Sequence, residues 1–351
     1  MKRQPSPVYD PGVQADDQDL LCLHRNENLF IDTDWLLTLV RQSLERASPV
    51  RYPDATSTAL RVALAESYGV EPDNVFVGNG ADEVLSDLLA LLRRRFAAMA
   101  TLDVCFKIYD LLADRFEYER QTIPGDTFST GRIDAAAGLG LSVVDSPNAI
   151  TGNRLTWEQL RPLAEPEDSF LIWDNVYGEY AADVLPPDLP DNVVFVRSFS
   201  KFYGLAGLRI GYCIGDARLI KELLQRKDAF NVNSVAQRAA LAALAHQDQF
   251  SRAAQESVTC RTELMTRLRS RGFSARESGG NYVLVTHADL PAVVLQEELL
   301  KRRIAVRRFA GVPTDNYLRI TVPPGEAIDQ LTVALDAILE HAEAAKTATP
   351  S

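Results

Sequence analysis

The lysine that follows one apolar stretch is the residue of this sequence best suited to covalent chemistry. Lys201 comes two positions after the end of the run 193–199, and the hydroxyls of Ser198 and Ser200 precede it closely in the chain. Burial disfavours the charged form of a lysine, and the neutral amine is a nucleophile toward aldehydes. Arg209 follows through a glycine-rich turn, and a guanidinium together with hydroxyls matches the oxygens of a phosphate. An aldehyde that carries a phosphate suggests pyridoxal phosphate as the cofactor.

Side chains in three other segments suit the remaining requirements of that cofactor. Asp174 ends the apolar run 170–174, and a carboxylate there could keep a pyridine nitrogen protonated, so that the ring becomes an electron sink. Tyr177 could reach the phenolic oxygen of the ring, and Asn148 is a second candidate for the same oxygen. Phe106 would stack on the face of the ring.

A glycine turn between a strand and a helix predicts the other half of the phosphate site. The β-rich run 75–77 leads through Gly80 into a helical pattern that begins with Ala81 and Asp82. The first N–H groups of a helix have no partner within it and bind anions readily. We therefore expect these three residues to contact the same phosphate as Arg209. The turn lacks the third glycine of a dinucleotide-binding fingerprint, which argues against a nicotinamide or flavin dinucleotide.

Short, nearly all-apolar runs are predicted to bring these side chains together. Polar or small residues lie at the carboxyl side of each of the runs 141–145, 170–174 and 193–199. Runs of this kind are typical of parallel strands that helices cover on both faces. Ligands bind at the carboxyl ends of such strands. The runs therefore predict an α/β fold with its site at this edge of the sheet.

The pattern of predicted elements changes after Gly215. Long helical patterns follow this residue and precede a shorter strand-rich part. This change predicts a second, smaller α+β lobe. We expect an N-terminal arm over residues 1–30, a large cofactor-binding domain over 31–245 and a small C-terminal domain over 246–351.

Composition excludes several other classes of protein. The 351 residues are 46% hydrophobic and 24% charged, which is typical of a soluble globular protein. The net charge of −11 argues against nucleic acid or an anionic membrane as the main partner. The four cysteines and four histidines are scattered, so we expect reduced thiols and no metal site. There is neither a membrane-length apolar run nor a signal peptide, and we therefore expect a cytoplasmic protein.

The segment 194–211 resembles the Schiff-base lysine region of fold-type I aminotransferases, in particular that of the histidinol-phosphate aminotransferase family. Seven further motifs occur in that family's order, at residues 26–28, 51–54, 77–83, 146–152, 174–177, 281–283 and 318–321. The sequence departs from the family pattern at Leu29 and Ile150, where prolines are usual. It also departs at Ala149, where an asparagine is common, and at Phe106, where a tyrosine is usual.

The resemblance implies a large domain with a mostly parallel sheet between helices, a smaller α+β domain, and a homodimer whose two active sites are shared. It implies that Lys201 holds pyridoxal phosphate, that Arg319 grips the substrate α-carboxylate and that Tyr52 reaches into the partner's site. Asn26 is assigned to substrate binding. Arg307 either contacts a second anion on the substrate, such as a phosphate, or forms a surface ion pair.

The resulting prediction is an aminotransferase that moves an amino group between an amino acid or amino-alcohol phosphate, similar to histidinol phosphate, and a 2-oxo acid such as 2-oxoglutarate. Decarboxylation of a phosphorylated amino acid, or elimination with cyclisation, would use the same cofactor. A serine hydrolase could use Ser198-x-x-Lys201, but the Lys-Thr-Gly segment that it needs is absent downstream. A protein that binds the cofactor without turnover is disfavoured, because the lysine, Asp174, Tyr177 and Arg209 are all retained.

Overall fold

The structure is a computed structural model that describes residues 19–48, 50–134, 139–311 and 313–348. The first 18 residues of the N-terminal arm predicted over 1–30 lie outside the described residues.

Strands alternate with helices along the described chain. The strands are, in chain order, β1 (Leu21–Leu23), β2 (Val75–Gly78), β3 (Ala98–Thr101), β4 (Glu119–Thr122), β5 (Gly125–Asp126), β6 (Arg132–Ile133), β7 (Leu141–Asp145), β8 (Phe170–Asp174), β9 (Val193–Ser198), β10 (Gly211–Ile214), β11 (Phe273–Ala275), β12 (Tyr282–His287), β13 (Ile304–Arg308) and β14 (Leu318–Thr321). The helices are α1 (Thr33–Glu45), α2 (Thr58–Tyr68), α3 (Ala81–Leu92), α4 (Ile108–Arg115), α5 (Trp157–Leu160), α6 (Ala217–Arg226), α7 (Ser234–Ala245), α8 (Gln247–Arg269), α9 (Ala292–Lys301) and α10 (Gly325–Ala348).

A seven-stranded sheet forms the centre of the larger part of the fold, in the order β2-β10-β9-β8-β7-β3-β4. The neighbours from β9 to β4 pair in parallel, whereas β10 runs antiparallel to both β9 and β2. The predicted mostly parallel sheet is confirmed. The carboxyl ends of β7, β8 and β9 consequently lie side by side at one edge.

The three apolar runs of the sequence analysis form the middle of this sheet. Every residue of β7, β8 and β9 is buried, because helices such as α3 and α6 cover the sheet and contribute leucines to the same core. Burying one such leucine contributes roughly 1.5–3 kcal/mol. The continuous apolar pattern thus reflects coverage of both faces of the sheet.

A second sheet has the order β1-β13-β14-β12-β11. It is antiparallel except for β1, which adds to its edge in parallel with β13. Helices α8, α9 and α10 share an apolar core with this sheet. Residues Leu21–Leu23 of the predicted arm are thus an edge strand of the second sheet. The predicted domain boundaries at residues 30 and 245 stay a prediction.

Within the described residues, the helices are too short or too polar to cross a lipid bilayer. The same residues contain no group of three or more histidine, cysteine, aspartate or glutamate side chains arranged to hold a metal ion.

Candidate active site

A cavity of about 810 Å³ opens where the carboxyl ends of β7, β8 and β9 approach the second sheet. Most of the residues that the sequence singled out line it, namely Ala81, Asp82, Phe106, Asp174, Tyr177, Ser198, Ser200, Lys201, Arg209, Arg307 and Arg319. Tyr52, Gly80, Asn148 and Asn26 are not among the lining residues. The tertiary fold therefore gathers side chains separated by up to 238 positions, from Ala81 to Arg319, around one space.

Lys201 extends into this cavity from the turn that follows β9. Its Nζ donates a hydrogen bond to the backbone carbonyl oxygen of Arg25 at 2.8 Å. Burial lowers the pKa of Lys201 to about 8, and the positive charges of Arg319 and Arg209 act in the same direction. A substantial neutral fraction near pH 8 gives this amine the nucleophilic and proton-accepting character that the sequence analysis required.

The amino-terminal end of α3 and the turn after β9, which also carries Lys201, form a cradle in the cavity. Arg209 lies there with its Nη2 2.7 Å from Oδ2 of Asp82, and both side chains are about half exposed. Ser200 N donates to Ser198 Oγ at 3.0 Å, which holds the turn that carries both hydroxyls. The cradle combines helix N–H groups, two hydroxyls and one guanidinium, a donor set suited to a phosphate.

Gly80 allows the close approach of the two halves of this cradle. Its φ is +88°, in the region that side chains with a Cβ avoid. A Cβ at this position would lie 2.5 Å from Nη2 of Arg209. A glycine is therefore needed both for the turn before α3 and for the position of the guanidinium.

Asp174 lies at the end of β8, 5% exposed at the base of the cavity. Its Oδ2 accepts a hydrogen bond from the Tyr109 hydroxyl at 2.7 Å, and its Oδ1 accepts one from Val176 N at 3.3 Å. Burial raises the pKa of Asp174 to about 6, although both hydrogen bonds act to lower it. The group is thus a buried acid that is ionised above pH 6.

Tyr109 was missed as a site residue by the sequence analysis. Its hydroxyl is buried in the core, and its ring meets that of Phe106 edge to face at 5.9 Å. Burial raises the pKa of Tyr109 well above its usual range, so the hydroxyl is a donor to Asp174. The spacing of three residues from Phe106, which places two aromatic rings on one side of a helical turn, was the available signal.

Tyr177 presents its ring toward Lys201, whose Nζ lies 5.9 Å from the ring centroid. The Tyr177 hydroxyl accepts a hydrogen bond from Asn26 Nδ2 at 2.9 Å. Burial raises the pKa of Tyr177, partly offset by the charge of Arg319. Asn26 itself is fully buried behind Tyr177. This contact orients the Tyr177 hydroxyl, and the predicted role of Asn26 in substrate binding stays a prediction.

Asn148 lies in the turn that follows β7, and its role at the cofactor ring stays a prediction. Its Oδ1 accepts hydrogen bonds from Ile150 N at 3.1 Å and from both N and Oγ1 of Thr151 at 2.8 and 3.0 Å. Its Nδ2 donates to Val104 O at 2.7 Å and to Asp145 Oδ1 at 3.1 Å. Both polar atoms are thus engaged in holding the turn that follows β7.

Two arginines from neighbouring strands of the second sheet meet at the far end of the cavity. Arg307 on β13 and Arg319 on β14 are opposite each other in register. The Phe309 ring lies near both guanidiniums, 5.5 Å from that of Arg307 and 5.1 Å from that of Arg319. Arg319 also donates to Ala149 O at 2.6 Å and to His24 O at 2.9 Å. Two positive charges side by side give this end of the cavity a character that suits an anion.

Tyr52 lies on the surface, with 81% of its area exposed. Its ring stacks on that of Phe230, with centroids 4.4 Å apart and planes 16° from parallel. Large aromatic side chains that pack together on an exposed surface often mark a site that a partner covers. The role of Tyr52 in a partner's site stays a prediction.

Residues 18–338 match the model of the family described as aminotransferase class I and II. This chain belongs to that family. Its aminotransferases depend on pyridoxal phosphate, so the predicted fold, enzyme class and cofactor are confirmed.

Relatives cover almost the whole length of this aminotransferase. It is 34% identical to a histidinol-phosphate aminotransferase of Gluconacetobacter diazotrophicus, over 94% of this chain and 95% of that protein. It is 32% identical to histidinol-phosphate aminotransferase 1 of Hydrogenovibrio crunogenus, over 95% of each chain. The crystal structure of the histidinol-phosphate aminotransferase from Sinorhizobium meliloti, in complex with pyridoxal-5'-phosphate, is similar with a TM-score of 0.83 and 25% identity, over 92% of this chain and 91% of that one.

Proposed function

We propose that this aminotransferase moves an amino group between an amino-alcohol phosphate or amino acid similar to histidinol phosphate and a 2-oxo acid such as 2-oxoglutarate. The observation that carries the proposal is the placement of Arg307 and Arg319 in one cavity with Lys201 and Asp174. The paired arginines suit the phosphate or carboxylate of a small anionic substrate, while the amine and the acid suit the chemistry at its Cα. The names of two relatives that match nearly the whole chain point to the same substrate class.

The lining residues fit pyridoxal phosphate. Lys201 would hold its aldehyde carbon, and the end of α3 with Ser198, Ser200 and Arg209 would hold its phosphate. The missing Cβ of Gly80 leaves room for this cradle. Phe106 lines the cavity and would cover one face of the ring, while Asp174 would pair with its nitrogen.

The bound cofactor supplies a conjugated ring that accepts electron density from the substrate Cα. Asp174 supports that property by keeping a negative charge at the base of the cavity above pH 6. Tyr109 and Val176 fix the orientation of the carboxylate through their two hydrogen bonds. Asn26 in turn holds the Tyr177 hydroxyl, which we assign to the ring oxygen.

Lys201 is the proton carrier of the proposed reaction. Its Nζ would take the proton from the substrate Cα as a general base and would deliver it as a general acid to the cofactor carbon that the lysine had held. A pKa of about 8 suits both tasks, since neither form is strongly disfavoured near neutral pH. Arg319 and Arg307 orient the substrate by its anionic groups, so that the Cα–H bond lies within reach of Lys201.

The enzyme acts in this proposal as a cytoplasmic homodimer with shared active sites. The exposed stack of Tyr52 on Phe230, beside Val50 with 92% of its area exposed, is the surface we assign to the partner. None of the four cysteines, all of which lie within the described residues, is in a disulfide bond, which is consistent with a reducing compartment.

A panel of amino donors tests the substrate assignment. The purified holoenzyme is mixed with histidinol phosphate, aromatic amino acids or basic amino acids, and the visible absorbance of the lysine-bound cofactor is followed in single half-reactions. We expect histidinol phosphate to bleach this band fastest, with formation of an oxo product and recovery on addition of 2-oxoglutarate. Release of carbon dioxide from a phosphorylated amino acid, without recovery by an oxo acid, would instead identify a decarboxylase.

A further inference from the structure

Asp145 is a buried acid in the cavity that the proposed chemistry does not use. It ends β7, and its register partner across the sheet is Asp174 at the end of β8. Both residues line the cavity, and only 3% of Asp145 is exposed. Side chains at paired positions of neighbouring parallel strands lie on the same face of the sheet. The fold therefore places two carboxyl groups side by side at the base of the site.

Burying a second carboxyl group beside Asp174 costs free energy. We therefore expect Asp145 to make an interaction that a neutral side chain could not make. Burial and the nearby charge of Asp174 raise the pKa of Asp145 well above its usual range, which reflects the free energy needed to ionise it there. The two oxygens of Asp145 accept hydrogen bonds from Ala149 N at 2.8 Å and from Asn148 Nδ2 at 3.1 Å, and the backbone of Phe106 also donates to this carboxyl group. A single carboxyl group thus binds the following turn at two points.

That turn holds Arg319 directly. The carbonyl oxygen of Ala149 accepts a hydrogen bond from Arg319 Nη1 at 2.6 Å, while His24 O accepts one from Nη2 at 2.9 Å. The same turn is tied to the second sheet by the Tyr282 hydroxyl, which donates to Asn148 O. A path of hydrogen bonds therefore runs from Asp145 through the backbone of Ala149 to the guanidinium of Arg319.

We propose that Asp145 is a positioning residue, which fixes the Ala149 backbone so that Arg319 is held where it binds the carboxylate of the oxo-acid substrate. The proposal rests on the assignment of Arg319 under the proposed function. Asp145 acts on the anion site through the turn, whereas Asp174 acts on the cofactor ring. The neighbouring acids of β7 and β8 therefore serve different molecules, the oxo-acid substrate and the cofactor.

A double-mutant cycle between Asp145→Asn and Arg319→Gln tests this proposal. The measured quantity is the affinity of the holoenzyme for succinate, an unreactive dicarboxylate, from the change in cofactor absorbance. Asparagine keeps the shape of Asp145 but turns one acceptor into a donor that faces the donors of Ala149 or Asn148. We expect Asp145→Asn to weaken succinate binding about tenfold and Arg319→Gln to weaken it at least about thirtyfold.

The double variant decides whether the two residues act along one path. We expect it to bind succinate as weakly as Arg319→Gln alone, because Asp145 has nothing left to position. Equal weakening by Asp145→Asn in both backgrounds would overturn the proposal, as would unchanged succinate affinity in folded Asp145→Asn. Unchanged affinity in Arg319→Gln would overturn the assignment of Arg319 itself, which is a failure of the proposed function.

Two further measurements separate positioning from general damage. Asp183→Asn is the matched control, since Asp183 is another buried carboxylate, which pairs with Arg154 and accepts from Asn175 Nδ2 at 2.8 Å. We expect it to lower the melting temperature without changing succinate affinity. Affinity for pyridoxal phosphate should stay within about threefold of the wild type in Asp145→Asn. Should Asp145→Asn not fold, Asp145→Ser, which keeps one oxygen acceptor, is titrated in its place with the same expected direction.

Discussion

The hydroxyl of Tyr109 donates a hydrogen bond to Oδ2 of Asp174 at 2.7 Å, across 65 positions of the chain. This bond opposes the effect of burial, which raises the pKa of Asp174 to about 6. Tyr109 therefore helps to keep the acid at the base of the site ionised at neutral pH. The negative charge of Asp174 that the proposed chemistry needs therefore depends in part on Tyr109, which lies on α4.

Tyr109→Phe should make the enzyme more sensitive to acid. Without the hydroxyl, the pKa of Asp174 rises further above 6, because a contribution that lowers it is lost. The acidic limb of the kcat/KM profile should therefore move to higher pH, and the rate at neutral pH should fall about tenfold. Tyr118→Phe is the control, since Tyr118 is equally buried but donates to the backbone of Leu89 at 2.7 Å. An unchanged acidic limb in Tyr109→Phe would show that the bond does not tune Asp174.

Lys201→Ala should abolish the visible absorbance of the lysine-bound cofactor. It should also lower the turnover rate at least about 10³-fold, because both properties need the amine. Circular dichroism and the melting curve should show an intact fold. Lys301→Ala is the control, since Lys301 is an exposed lysine paired with Glu298. Ordinary turnover in Lys201→Ala, or borohydride attachment of the cofactor to another lysine, would refute the assignment.

Asp174→Asn should lower the rate by at least about 10²-fold while the cofactor still binds.

The same substitution should change how the stability of the apoprotein depends on pH. Relative to the wild type, the free energy of unfolding of Asp174→Asn should be larger at neutral pH than at acid pH. The wild-type acid has a raised folded-state pKa of about 6, so ionising it costs the folded state about 3 kcal/mol as the pH rises from about 4 to above 6. Asparagine does not titrate. Urea unfolding of both apoproteins at pH 4 and pH 8 measures this, and a stability difference independent of pH would contradict it.

Gly80→Ala should weaken binding of pyridoxal phosphate to the apoprotein by at least about tenfold. The added Cβ would lie 2.5 Å from Arg209 Nη2 and displace the guanidinium from the phosphate cradle. Gly69→Ala is the matched control, because Gly69 also has a positive φ, +67°, but its Cβ would meet nothing within 4 Å. Fluorescence titration gives both affinities. Equal effects of the two variants would mean that backbone strain alone is responsible.

Mixing two inactive variants tests the shared site. If Tyr52 completes the partner's site, a Tyr52→Ala chain and a Lys201→Ala chain form a heterodimer with one intact site. Random exchange of subunits should then restore about a quarter of the wild-type activity. Tyr52→Ala alone should be impaired as a homodimer. Failure of the mixture to recover activity, although exchange is shown by native mass spectrometry, would assign Tyr52 to its own chain.

The local pattern of the sequence was sufficient for the strands of the central sheet and for the lysine. The runs 141–145 and 170–174 coincide with β7 and β8, because a strand covered on both faces needs apolar residues without interruption. Lys201 was identifiable because a lysine after such a strand, beside serines and an arginine, lies at the edge where ligands bind.

The hydrogen-bond partners of Asn26 and Asn148 were decided only by the tertiary structure. Each is a polar residue in a motif, but its hydrogen-bond partners determine what it does, and the partner of Asn26 is 151 positions away. Tyr109 became a site residue through Asp174, and Asp145 through a turn that reaches Arg319. Sequence periodicity indicates which element a residue belongs to and whether its side chain is buried, since the pattern of apolar residues records which side of each element faces water. Which buried donor meets which acceptor depends on how separate elements pack, and only the folded chain brings those atoms within 3 Å.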